Sequence, residues 1–476
     1  MFKKMTSFWQ FKDAIPNQTA LIDQDRQSTT YEELNTHVTN LAKLLPQEKS
    51  LMLIMANNST SAIVGYLAAL QSKTALMLLP QQVENDYFET LLTQFLPQFI
   101  WTSQNFDNRF TPLTRLNSFT LYKLPASTPY NINPDLALIL PTSGSTGSIK
   151  MVRLSYKNLA ENAVSIASYL SLTSTERPIT LLPMHYSYGL SIINSHLLVG
   201  ATLLLSNDSV LSRNLWSFAE EHNCSSISGV PYTYSILHKI GFFEKDYPSI
   251  KTWTQAGGKM NKSLVQELAT KAKEKNCRFF VMYGQTEATA RISYVPPQLI
   301  LEHPTSVGIT IPGGTIHLID DKKQTILAPN EPGEIVYSGP NVMMGYATNA
   351  HSLSLKDELN GTLYTGDIGQ FDEEGLLYIV GRKSRFIKVS GVRIGLDELE
   401  KRIQTSLKID AACGGKDDLL IVTFTDPDDK PKLQQLLSSV LKISPVSYTL
   451  EYVHSYPRND YGKINYDQLF HSFLAQ

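Results

Sequence analysis

Residues 135–150 read DLALILPTSGSTGSIK, and this stretch decides the fold. Leu136, Ala137, Leu138, Ile139 and Leu140 make an apolar run of strand length with no polar interruption, so a strand buried on both faces is expected. Thr142, Ser143, Gly144, Ser145, Thr146 and Gly147 then concentrate glycines and hydroxyl side chains in one loop. Glycines let the loop turn its backbone N–H groups inward, the hydroxyls add donors, and Lys150 adds positive charge; together they can wrap a polyphosphate. Alone, such a run reads equally as a flexible linker. The buried strand before it and the lysine after it favour the cradle. It is not a Walker A loop, because Met151 follows Lys150 where that motif needs Ser or Thr for magnesium.

Outward from this loop, a chain of 476 residues, 42% of them hydrophobic, exceeds one ordinary domain and can bury large cores. A formal net charge of -2 gives no electrostatic reason to expect nucleic acid or an anionic membrane as partner. Cys224, Cys277 and Cys413 are too scattered for a disulfide framework or a zinc site, which fits a reducing cytoplasm. The opening MFKKMTSFWQFKDAIPNQ lacks the apolar core of a signal peptide. The most apolar longer stretch, 191–205, is broken by Asn194 and His196 and is too short to span a bilayer.

Before the cradle, residues 19–80 alternate strand and helix, with Thr30 placed to cap a helix carrying Leu34, Val38, Leu41 and Leu44, and a parallel sheet covered by helices follows. After it, 155–170 reads as a helix and 179–182 as a strand ending in PMHYSYGLS. His185, Tyr186, Ser187, Tyr188 and Gly189 thus fall at a strand end, where ligands of open α/β sheets gather. Aromatic residues there are more often core than pocket. Ser228-Gly229 and Ala256-Gly257-Gly258 close two more expected strands with small residues that let a ligand approach the backbone. An apolar strand over 278–282 leads into Tyr283-Gly284-Gln285-Thr286-Glu287. That set offers a ring to stack on adenine, a hydroxyl for an α-phosphate and a carboxylate for Mg²⁺; in isolation it is an ordinary turn with Thr286 as a cap. From 306 onward Gly-rich short strands, including GEIVYSGPNVMMGY, suggest a small β-rich subdomain that reads as scaffold. After Gly381-Arg382 the chain turns basic and then helical, with Leu396, Leu399 and Ile403 on one face, and 419–424 reads as a strand.

Taken in order, these motifs resemble the adenylate-forming superfamily of acyl-CoA synthetases, nonribosomal peptide synthetase adenylation domains and luciferases. TSGSTGSIK is similar to its signature loop, with Ile149 where proline is usual, and Tyr283 to Glu287 match its Tyr-Gly-x-Thr-Glu motif in full. The resemblance implies an α/β fold: a large N-terminal domain of parallel-sheet αβ subdomains with a small β-rich subdomain, residues 1–383, then a small mobile α+β domain, residues 384–476, hinged near Ser384. It further implies that Gly257 and Gly258 turn beside adenine, Asp367 binds the ribose hydroxyls with help from Arg382, and Ile379 lies against the nucleoside. Lys463, in PRNDYGKIN, would bridge substrate carboxylate and phosphate, and the face from Lys388 to Gly391 would pass a pantetheine arm. His185 and Tyr186 stand where relatives have a Phe-His pair, so a tyrosine replaces the gating histidine.

ATP, Mg²⁺ and a thiol acceptor, either CoA or a phosphopantetheinylated carrier protein, are the implied reactants. The implied activity is activation of a carboxylic acid to acyl-AMP followed by thioester formation. An oxygenase would need an oxygen-chemistry feature that is not apparent, and a nucleotide sensor would have no use for Lys463. No aspartate occurs over 180–207 to hold an ammonium, which favours a plain, small or medium carboxylic acid over an α-amino acid. Arg291 reads more readily as a solvated arginine than as a contact to an anionic part of the substrate.

Overall fold

The structure is a computed structural model and describes residues 7–12, 14–106, 109–125, 130–141, 150–383, 385–389, 392–416, 418–440, 445–458 and 462–474. The chain divides into two compact units, Met1–Thr315 with Ser338–Leu363, and Ile316–Tyr337 with Tyr364–Gln476. The hinge expected at Ser384 is a matter of motion, and Ser384 lies outside the described residues.

The first unit is built on an eight-stranded sheet in the order Gly345–Ala347, Met151–Ser155, Leu136–Pro141, Ala75–Pro80, Leu51–Ala56, Phe99–Thr102, Phe119–Lys123, Thr111–Leu116. Leu51–Ala56 runs parallel to Ala75–Pro80 and Phe99–Thr102, and Ala75–Pro80 runs parallel to Leu136–Pro141. These apolar runs are buried almost throughout, as strands covered on both faces must be. Antiparallel strands extend the parallel centre on each side. Thr30 and Glu33 form a capping box at the start of helix Tyr31–Ala42, which buries Leu34, Val38 and Leu41; Leu44 falls beyond the helix end and is exposed. Ser155 and Asn158 form the equivalent box on helix Tyr156–Tyr169.

A second sheet places Ser226–Gly229, Thr252–Gln255 and Arg278–Tyr283 parallel and in register, over a core containing Trp216, Phe218, Tyr234, Phe242, Trp253 and Phe279. The strand expected over 179–182 is not formed. Ile179 makes only an isolated parallel bridge with Leu204, and Pro178 one with Ser226. Prolines at 178 and 183 remove ladder donors on either side, and Thr180 turns its hydroxyl to the carbonyls of Leu204 and Ser206.

The second unit carries a five-stranded sheet, ordered Thr325–Ile326, Thr315–Ile319, Gly333–Ser338, Thr362–Phe371, Leu377–Arg382. The hairpin Phe386–Val389/Val392–Gly395 follows, then helix Leu396–Leu407, which packs Leu396, Leu399 and Ile403 against Leu420, Val422 and Phe424. Arg385 pairs with Asp397 and Glu400 and lies 3.9 Å over the Tyr466 ring, tying this hairpin to helix Tyr466–Leu474. Among the described residues no helix is long and apolar enough to cross a membrane.

Candidate functional site

Pro141 pairs with Met151, so the loop expected to cradle phosphate joins two adjacent buried strands. Thr142, Ser143, Gly144, Ser145, Thr146 and Gly147 lie outside the described residues. Lys150 is exposed, and its Nζ stands 3.6 Å from the centroid of the Tyr346 ring. Tyr346 sits in the edge strand opposite Val152, and its hydroxyl donates to Glu287 Oε1 at 2.9 Å. Lys150, Tyr346 and Glu287 therefore form a continuous line of cation, ring and carboxylate. Burial and the Glu287 charge hold the Tyr346 phenol well above its ordinary value, so it stays a donor.

Glu287 belongs to a loop folded tightly on itself. Gly284 is required there, because a Cβ would come 1.9 Å from the carbonyl oxygen of Ala290. Thr289 and Ala290 follow with φ of 53° and 112°, conformations that cost on the order of 1–3 kcal/mol for residues with a side chain. Asn341 holds the strained segment: its Nδ2 donates to the carbonyls of Ala288 at 2.7 Å and Arg291 at 2.8 Å, and its own carbonyl accepts from Thr289 Oγ1 at 2.6 Å. Asn158 in turn donates to Pro340 and Val342, so the cap of helix Tyr156–Tyr169 fixes the clamp.

The 185–189 turn approaches the same loop. Ser187 and Thr286 hydroxyls lie 3.1 Å apart, and helix Ser187–Leu198 begins at Tyr186 without a side-chain cap. Tyr188 donates to the Thr254 carbonyl at 2.9 Å, and Thr254 Oγ1 donates to Ser228 Oγ at 2.7 Å. His185, Tyr186, Ser228 and Ala256 are buried. Gly257 has φ of 85°, and a Cβ there would lie 2.6 Å from Tyr186 Oη, so glycine makes room for that ring. Tyr283 ends its strand buried, with Gln285 half-buried beside it. Gly189 and Gly229 occupy the first turn of helix Ser187–Leu198 and the end of strand Ser226–Gly229, and Gly258 follows Gly257 in its turn. Burial pushes the Tyr186 phenol up to about 12, with Arg291 pulling the other way. Arg291 is buried, against the expectation of a solvated side chain, and its guanidinium carbon lies 4.1 Å from the Tyr188 ring centroid.

In the second unit Asp367 and Arg382 face each other across antiparallel strands, Arg382 Nε 2.9 Å from Asp367 Oδ1. The carboxylate is buried and the guanidinium exposed, with Ile379 half-buried on the same strand as Arg382. Lys463 is half-buried between Gly462 and Ile464, and Ile464 makes an antiparallel bridge with Arg458. The Lys388 side chain and Gly391 lie outside the described residues.

Sequence reading missed Tyr346, Asn341 and the burial of Arg291. The segment holding Tyr346 and Asn341 read as scaffold, and a Gly-Tyr pair carries no local sign of a partner 59 positions away.

A family model described as AMP-binding enzyme matches residues 8–347. The 2-succinylbenzoate–CoA ligase of Bacillus pumilus is 27% identical, covering 95% of each chain. The long-chain-fatty-acid–CoA ligase of Escherichia coli O157:H7 is 29% identical over 72% of this chain and 63% of that protein. Among solved structures, the o-succinylbenzoate CoA synthetase of Bacillus subtilis with its acyl-adenylate intermediate superposes with a TM-score of 0.78 over 98% of each chain at 23% identity. ATP-bound MatB of Rhodopseudomonas palustris does so with a TM-score of 0.76 over 99% of each chain at 19% identity.

Proposed function

The chain belongs to the family of AMP-binding enzymes, and on that premise we propose that it is an AMP-forming acid–thiol ligase. It activates a carboxylic acid with ATP and passes the acyl group to a thiol. The observation that carries this reading is the line from Lys150 through Tyr346 to Glu287, with the Thr286 hydroxyl beside it.

In the first half-reaction a carboxylate oxygen bonds to the α-phosphorus as the bond to pyrophosphate breaks. Two anions must meet, so positive charge and donors have to be in place beforehand. Lys150 and the 142–147 loop take the phosphates, Thr286 donates to the α-phosphate, and Tyr283, Gln285, Gly257 and Gly258 border the adenine. Asp367 accepts the ribose hydroxyls, Arg382 assists, and Lys463 bridges the reacting carboxylate and phosphate. Among the described residues no three His, Cys, Asp or Glu side chains cluster as a metal cage, and a single carboxylate next to substrate phosphates suits Mg²⁺, which keeps waters and phosphate oxygens as its other ligands. Glu287 would hold it, and when bound the ion neutralises phosphate charge. In the second half-reaction the thiol sulfur bonds to the acyl carbon as AMP leaves. Ser384 as pivot and the Lys388 to Gly391 face as thiol channel complete the proposal, with a cytoplasmic setting that suits three unpaired thiols.

Pyrophosphate release with ATP and magnesium tests this reading across a panel that includes 2-succinylbenzoate, long-chain fatty acids and short acids, each set beside 2-amino analogues where they exist. Release with plain acids in preference to amino analogues is expected. Preference for amino acids would make the chain an amino-acid adenylation enzyme, and no release with any acid would overturn the ligase assignment. CoA is the proposed acceptor; thioester formation with a phosphopantetheinylated carrier but not CoA would establish the carrier-loading alternative.

A further inference from the structure

Arg291 is 2% exposed, yet it lacks what a buried guanidinium needs. Its Nε has no hydrogen-bond partner, its Nη1 reaches only the carbonyl of the preceding residue, Ala290, at 3.3 Å, and no carboxylate of the described residues pairs with it. Its surroundings are neutral phenols: Tyr188 lies under it, and its charge opposes the burial that raises the Tyr169 and Tyr186 phenols. A cation shielded from water and left without a counter-charge persists where folding forces it there or where a ligand supplies the anion. Here the chain goes to some length to put it there. The left-handed residues Thr289 and Ala290 lead directly into Arg291, and Asn341 grips the carbonyls on both sides of them.

A second source of positive potential adjoins it. Helix Ser187–Leu198 begins at Tyr186 with no side-chain cap, so the N–H groups of its first turn are open to an anion, and Tyr188 of that turn is the ring against which Arg291 lies. Ser187, one residue earlier, touches Thr286, the hydroxyl assigned to the α-phosphate. The cation therefore lies against the helix turn whose Ser187 meets Thr286, and takes no part in the Lys150–Tyr346–Glu287 line.

We propose that Arg291 and the uncapped start of helix Ser187–Leu198 form an anion site for a second carboxylate on the acid substrate, so that the preferred substrates are dicarboxylic acids activated at one end and anchored at the other. This rests on the ligase reading for its reaction but not for its binding. The anchor also gives selectivity over neutral acids, because a substrate without the second charge leaves the guanidinium buried and unpaired.

The test pairs each α,ω-dicarboxylate of four to eight carbons with its monomethyl ester, which keeps the size and removes one charge. Calorimetry on the wild-type protein should show the best diacid binding at least tenfold tighter than its ester, and Arg291→Met should reduce that ratio to about twofold while leaving ester binding in place. Arg291→Lys, which retains charge, should restore part of the preference. In pyrophosphate release, the diacid should lead the ester by a similar factor. Equal binding of diacid and ester by the wild type overturns the anchor even if Arg291→Met fails to fold. Equal loss of both ligands in a folded Arg291→Met also overturns it, since that would place the arginine on the reacting carboxylate or in the scaffold. Diacid-selective binding without pyrophosphate release would keep the anchor and remove the ligase reading.

Discussion

Two arginines of the first unit are buried to the same degree and could hardly be furnished more differently. Arg153, in strand Met151–Ser155, donates to the carbonyls of Tyr346 at 3.1 Å, Leu355 at 2.6 Å, Met344 at 3.1 Å and Lys356 at 3.3 Å, and meets Glu358 at 2.5 Å. Arg291 reaches its neighbour's carbonyl at 3.3 Å and otherwise meets only neutral phenols, with its Nε left unpartnered. A guanidinium offers five donors; Arg153 spends them sewing the 344–358 segment to the sheet, and Arg291 keeps most of its own. Burial alone therefore does not separate a structural cation from a binding one, whereas donor saturation does. Arg153 also reaches the site indirectly, because the carbonyl it holds on Tyr346 belongs to the residue that bridges Lys150 and Glu287.

The largest expected effect is on stability, and it tests the contrast head on. Arg153→Met should cost roughly 3–5 kcal/mol in chemical denaturation, because four backbone carbonyls, one buried and three part-buried, lose a charged donor at once. Arg291→Met should change stability by no more than about 1 kcal/mol, since it removes an unpaired buried charge. Similar losses from the two variants would break the distinction.

Arg382 supplies the exposed case. Its pairing with Asp367 should contribute little to folding, but the buried Asp367 carboxylate should matter to nucleotide binding. Asp367→Ala should weaken ATP binding by roughly 2–4 kcal/mol, as expected for charge-assisted hydrogen bonds in a shielded site. On that variant 2′-deoxy-ATP should lose little more; if it loses as much as on the wild type, Asp367 is not the ribose ligand.

Smaller again is the effect of cutting the link through which Arg153 touches the chemistry. Tyr346→Phe keeps the ring under Lys150 and removes the donor to Glu287, so activity should fall about tenfold, as for loss of one positioning hydrogen bond to a charged group. The magnesium dependence of pyrophosphate release should shift while denaturation midpoints hold. An unchanged magnesium titration would reduce Tyr346 to packing.

Lys49 gives the gentlest sharpening, as a third, partly buried cation that is hydrogen-bonded to neutral groups. It donates to the carbonyls of Pro134 and Leu136 and to the Tyr156 hydroxyl, and burial pulls its ammonium down to about 7, with Asp135 opposing. The unfolded chain, with an ordinary lysine value near ~10.4, then holds more protons between about pH 7 and that value, so stability should rise with pH across that window. Lys49→Met should flatten this slope; an identical pH profile for the variant would show that the titrating group lies elsewhere.

Parts of the fold were readable wherever the cause was local. Thr30 announced a helix start because a cap acts on residues within the next turn, and 136–140 announced a central strand because a continuous apolar run has to be covered on both faces. The 179–182 strand failed because flanking prolines act on ladder donors, which matters only once neighbouring strands are known. Leu44 failed because the helix ends at Ala42, so apolar spacing beyond that residue no longer describes a face.

The order of motifs from the cradle to Lys463, and with it the family, was determined by the sequence alone, since each motif is a contiguous run whose residue types carry their chemistry. The partnerships were decided by tertiary structure. Tyr346 meets Glu287 because its edge strand pairs with Val152, Asn341 clamps the Ala288 to Arg291 segment from another part of the chain, and Arg291 is dry because Tyr188 and Tyr169 close over it. Whether a charge is solvated, saturated or stranded depends on which distant segments cover it, and those segments are brought there by strand register and helix packing.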